Sequence, residues 1–162
     1  MPELQLGFDA SPASEPEPPR FMRQLGKGGQ LVAWAIRSIV IAAQEDRVTP
    51  PSVENVLATA GASGAIFAIT DLLSAVARGA RREISIGPVK YDGLFPDEQR
   101  LLQVLAGVQL HPNRCHCRPL RELCHDSAIA EIMFQVGNLA RILTAGQLHV
   151  IEAEPIPSPT LH

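Results

Sequence analysis

The run "QLVAWAIRSIVIAAQ" (residues 30–44) constrains this chain more than any other stretch. It is apolar on nearly every side, interrupted only by Arg37 and Ser38, and "GKGG" (26–29) leads into it. A helix without a polar face belongs inside a bundle, because every side of it must be covered. Aromatic residues make up only 4 % of the 162 residues, so the covering walls are built from Leu, Ile, Val and Ala. That composition suits close-packed helices better than an aromatic-rich β-sandwich. The length suits one domain with a core of its own.

Breakers divide the rest of the chain. "TPPSVENVLATAG" (49–61) offers Thr49 as N-cap, Pro50 at the first helical position and Gly61 as a stop. Residues 63–78 place Ile66, Ile69, Leu73 and Val76 on one face at three- and four-residue steps. The run 56–77 has the length of a membrane span. It is rich in Ala and Gly, however, and holds Asp71, which is costly at a bilayer centre. A buried helix or helix pair is expected there, and no membrane span.

"REISIGPVKYDGLF" (82–95) alternates briefly and is broken by Gly87–Pro88 and Asp92–Gly93. It reads as extended chain able to pair with "LHVIE" (148–152) in a short two-stranded β element, 82–91 with 148–152. "PDEQRLLQVLAGV" (96–108) is a helix with Pro96 and two acids in its first turn and Leu101, Leu102, Leu105 and Val108 toward the core. Pro119 opens a short helix, and Asp126 or Ser127 caps a long one. The inner face of that long helix is Ile129, Ile132, Met133, Val136, Leu139, Ala140 and Leu143, and Gly146 ends it. The fold class is therefore mostly α, a compact bundle of about five to six helices. The bundle occupies 21–152, between a disordered, acidic, Pro-rich tail (1–20) and a second Pro-rich tail (153–162).

Two stretches, "VAWAIR" (32–37) and "GARREISIGPVKYDGLF" running into "PDEQRLL" (79–102), resemble small helical bacterial proteins that carry no assigned activity. The resemblance covers less than half the chain. In such proteins a small polar residue precedes the Pro-Asp-Glu helix start, where this chain has Phe95. It implies a helical fold and nothing about chemistry.

The formal net charge of −3 is unevenly spread. Residues 1–19 hold four acids and no base, whereas residues 20–151 hold eleven acids and all fourteen bases, twelve of them Arg. This mild positive field falls well short of a nucleic-acid binder's basic patch. The acidic start lacks the pattern of a signal peptide. Three cysteines make a poor disulfide framework, which favours a reducing, cytoplasmic setting.

Chemistry, if present, centres on "HPNRCHCRPLRELCHD" (111–126), which holds all three cysteines and three of the five histidines. Zinc takes four N or S donors. Cys115, Cys117 and Cys124 supply three, with His111 or His125 as the fourth. Against this, one residue separates Cys115 from Cys117, fewer than zinc knuckles use. Cys124 and His125 also stand about 100° apart if helical. A second reading makes Cys115 and Cys117 a redox pair, with Arg114, Arg118 and Arg121 favouring thiolate. The plainest reading buries Cys124 beside Leu120 and Leu123 and leaves His111, His116 and His125 at the surface.

Elsewhere, "GKGG" lacks the P-loop spacing, Asp71 reads as a cap or partnered carboxylate, and "RGARR" (78–82) reads as dipole compensation at a helix end. No Ser/His/Asp set or carboxylate pair stands out. The function expected is a non-enzymatic helical interaction or regulatory module. It would hold a protein partner or self-associate through the apolar faces of 31–43 and 56–77. The alternative is a zinc-binding or thiol-redox-responsive protein using the cluster.

Overall fold

Helix α1 (Lys27–Gln44) buries Val32, Ala33, Ala35, Ile36 and Ile39 together with both residues that interrupt its apolar run, Arg37 and Ser38. Four more helices follow: α2 (Pro51–Thr59), α3 (Ala65–Gly79), α4 (Pro96–Leu110) and α5 (Asp126–Ala145). Two 3-10 turns, Met22–Gln24 and Arg118–Glu122, precede α1 and α5. These coordinates are a computed structural model that describes residues 18–152. Most of both expected tails lies outside the described residues. Pro19 and Arg20, however, are tied to the bundle: Gln99 Nε2 donates to Pro19 O at 2.6 Å, and Leu94 N–H donates to Arg20 O at 2.8 Å.

The architecture is an all-α bundle. α1, α3, α5 and α4 form a ring in which each helix packs on two neighbours, with α2 laid across α1 and α3. The tightest packing is between α3 and α5 rather than around α1, and Ile41 of α1 stays at the surface. α3 and α5 run antiparallel, with Gly79 against Ala128 at one end and Gly61 against Gly146 at the other. A Cβ on Gly79 would stand 2.2 Å from that of Ala128, so this crossing is set by the missing side chain. The inner face of α5 is the one its spacing predicts, with Ile132, Val136, Leu139, Ala140 and Leu143 buried.

The apolar run 56–77 is a helix pair. It breaks at a turn where Gly61 and Gly64 take φ of 103° and 87°, a left-handed conformation open to glycine at little steric cost. No helix among the described residues is long and apolar enough to cross a membrane.

The expected pairing of 82–91 with 148–152 is absent, and the described residues contain no sheet, only isolated bridges such as Phe21 with Gly93. Side chains hold both extended segments in place of a ladder. Gln109 of α4 donates from Nε2 to Leu148 O (2.9 Å), and its Oε1 accepts Val150 N–H (2.9 Å), imitating a neighbouring strand. On the other side, Gly26 N–H donates to Val150 O at 2.7 Å and Gly29 N–H to His149 O at 3.3 Å. The segment thus satisfies N–H groups that the first turn of α1 leaves unpaired. The "GKGG" lead-in is a docking surface: a Cβ on Gly29 would lie 2.4 Å from Val150 O.

The 82–93 segment is held by α1 and the first turn of α4. Arg37, 1 % exposed, forms a two-pronged ion pair with Glu98, Nε to Oε2 at 2.7 Å and Nη2 to Oε1 at 2.9 Å. It also donates to Tyr91 O (2.7 Å) and Gly93 O (2.6 Å). Glu98 in turn accepts Phe95 N–H at 2.8 Å, capping α4 without a polar residue at position 95. Next to it, buried Asp97 takes both Nη groups of Arg82 at 2.9 and 2.8 Å and the Ser85 N–H at 2.8 Å. The Arg82 hydrogen bonds hold the Asp97 carboxyl below the usual carboxylate range, aided by the Ser85 N–H and the charge of Arg100, against the opposing effect of burial.

Removing one member of a buried ion pair strands the other, at a cost of about 3–5 kcal/mol. Glu98→Ala is therefore expected to lower unfolding stability by about that amount in denaturant titration. Arg37→Lys should destabilise as well, because an ammonium cannot reproduce the guanidinium fork.

Candidate functional site

The loop that follows α4 folds back over the end of its own helix. His111 donates its N–H to Gly107 O at 2.7 Å, and the His116 Nε2 lies 2.7 Å from His111 O. The His116 ring rests on Gly107, where a Cβ would meet Nδ1 at 2.4 Å. Downstream, Pro119 sits in the 3-10 turn, Leu120 N–H bonds Cys117 O at 3.0 Å, and the Leu120 side chain is fully buried. The Cys-His-Cys unit is thus anchored on both sides, by His116 to α4 and by Leu120 to the core.

Within that anchored loop, Cys115 Sγ and Cys117 Sγ lie 2.9 Å apart. Cys115 is exposed and Cys117 half-buried. The two thiols split in acidity. The hydrogen bond from the Cys117 side chain lowers the Cys115 pKa below the ordinary thiol range, with help from the Cys117 N–H and the positive charge of Arg121. The same hydrogen bond, with burial and the neighbouring Cys115 charge, raises Cys117. Of the two, Cys115 is therefore the more acidic thiol and Cys117 the less acidic.

Cys124 belongs elsewhere. Its residue bridges to Ala80, its Sγ faces Val76 O at 3.9 Å, and it is fully buried with Leu120 and Leu123. Burial raises its pKa, outweighing the pull of Arg81. His111 and His125 are exposed, at the C-terminus of α4 and the N-terminus of α5. Among the described residues no three His, Cys, Asp or Glu side chains form a group able to hold a metal ion. The zinc set of Cys115, Cys117, Cys124 and His111 or His125 is therefore not assembled. Packing at the α3–α5 crossing turns Cys124 inward, away from solvent, which leaves two clustered donors where zinc takes four.

The other candidates resolve structurally. Asp71 is exposed, and the "RGARR" arginines are spent on neighbours: Arg78 on Glu131, Arg81 on Cys124 O and Asp126, and Arg82 on Asp97.

Beside the cysteine pair lies a polar groove of about 890 Å³. One wall is the outer face of α4 with Gln99, Arg100 and Gln103; the other is the loop and 3-10 turn with Cys115, Arg118 and Arg121. The α4 residues of this wall carry no sequence signal, because they are ordinary polar positions on an amphipathic helix. Only the three arginines near the cysteines could be read in advance, and of these Arg121 is the one whose charge acts on the thiols.

In comparisons with protein-family models, curated proteins and solved structures, nothing matches this chain.

The thiolate is the nucleophile in thiol alkylation. Under iodoacetamide, Cys115 should react first, and its rate should fall off at lower pH than that of an unperturbed cysteine, because its lowered pKa keeps thiolate populated there. Cys117 should lag, and Cys124 should stay unlabelled until the chain unfolds. Peptide mapping across a pH series measures all three.

Proposed function

We propose that this chain is a helical regulatory module whose responsive element is the Cys115–Cys117 pair, cycling between dithiol and disulfide. The observation that carries the reading is the 2.9 Å approach of the two sulfurs in an anchored loop. A disulfide bond of about 2.05 Å lies a short displacement away. The split in acidity supplies a nucleophile, Cys115, and a partner to complete the bond, Cys117. Oxidation transfers two electrons and two protons to an acceptor disulfide, which leaves as two thiols. With Cys124 sealed in the core, the change is confined to the loop and the α4 surface that His116 touches.

Mild oxidation of the folded chain should remove two hydrogens from its mass and place the cross-link between Cys115 and Cys117. Cys124→Ser should oxidise in the same way, while Cys117→Ser should form no internal disulfide. An oxidised chain cross-linked through Cys124, or a pair that stays reduced, would defeat the proposal.

A separate observation favours self-association as well. An apolar groove of about 480 Å³ opens between α1 and α3, formed by Ile39, Leu73, Val76, Ile84, Ile86 and Leu101. Its polar lining residues, Gln44, Thr70 and Ser74, are uncharged. A suitable occupant is therefore apolar and uncharged, and the same α1–α3 face of a second copy meets that description. Sedimentation at rising concentration should reveal a dimer that Leu73→Glu abolishes. A parent chain that stays monomeric removes this reading.

A further inference from the structure

We infer that the oxidant this pair accepts is a small acidic disulfide, its carboxylates held by Arg118 and Arg121 in the groove that opens on Cys115. The inference rests on the thiol-disulfide reading above and names the chemistry of the reaction partner.

The groove's volume of about 890 Å³ falls in the range that small molecules occupy. Its charge is selective. Arg100 is committed to Asp97 at 3.0 Å and to Glu122 at 3.1 Å, so the one acid in the lining is already paired. Arg118 and Arg121 are exposed and form no ion pair with the described residues. Two unengaged guanidinium groups beside a nucleophilic sulfur suit carboxylates, which they bind through paired N–H donors. They repel a cationic disulfide.

The two sulfurs also differ in access. Cys115 lines the groove and Cys117 does not, so a bound disulfide meets Cys115 first. The Cys115 thiolate bonds to one sulfur of the ligand, the ligand's S–S bond breaks, and the distal half leaves as a thiolate. Cys117 then gives its proton to solvent and attacks Cys115 Sγ, expelling the second half. One disulfide is consumed, one is formed, and two thiols leave.

The test compares oxidation rates of the full-length chain with glutathione disulfide, which is acidic, and cystamine, which is cationic, followed by mass spectrometry. At low salt the acidic oxidant should act faster by roughly tenfold, the scale of electrostatic enrichment at a charged site. In the Arg118→Ala/Arg121→Ala variant the ratio of the two rates should fall toward one. The ratio, not the absolute rate, is the readout, because losing Arg121 also weakens the thiolate toward every oxidant. Raising the salt concentration on the unaltered chain should reduce the ratio likewise, which keeps the test open if the double variant folds poorly. In Cys117→Ser, the glutathione adduct should accumulate on Cys115. Equal rates for the two oxidants, or a ratio unchanged by both variant and salt, would overturn the acidic ligand while leaving the redox pair standing. Failure of the pair to close even with the neutral oxidant diamide would overturn the pair itself.

Discussion

A guanidinium enclosed at the junction of α1, α4 and the 82–93 segment holds the bundle's least regular part in place. Arg37 would be costly to bury alone, and the fold meets that cost with four hydrogen bonds to three residues. Because Glu98 also caps α4, the ion pair links the position of the helix to that of the extended segment before it. Asp97 repeats the device one residue earlier through Arg82 and Ser85. Together they replace the ladder that a β-strand would have used.

α4 connects this framework to the candidate chemistry. Its first turn holds the 82–93 segment, its inner face fills the core, and Gln109 near its end clamps the backbone of 148–150. Its outer face forms a wall of the polar groove, and Gly107 gives the His116 ring a place to rest. The cysteine loop therefore stands on a helix fixed at both ends. A loop so anchored can keep two sulfurs in near contact, which a free chain would do only transiently.

A single residue separates Cys115 from Cys117, whose sulfurs stand 2.9 Å apart. The intervening histidine reaches α4, its ring against Gly107 and its Nε2 2.7 Å from His111 O. Beside Cys115, Arg118 and Arg121 are exposed and form no ion pair with the described residues.

Much of the fold was legible in the sequence because helices follow from local rules. Spacing fixed the inner face of α5, glycines fixed the break in 56–77, and Pro96 with its acids fixed the start of α4. The strand pairing was misread because an alternating pattern reports only that a segment is extended; it does not say whether a strand or a glutamine side chain will meet its backbone. Likewise, Arg37 in an apolar run gave no hint of Glu98, 61 positions away, since a buried charge is matched through space. For the cluster 111–126, residue types alone left zinc, redox and packing readings open. Tertiary packing gave the three cysteines different surroundings. The α3–α5 crossing took Cys124 into the core, and α4 held Cys115 and Cys117 together beside a groove, because which side chains converge depends on how helices meet and not on their order along the chain.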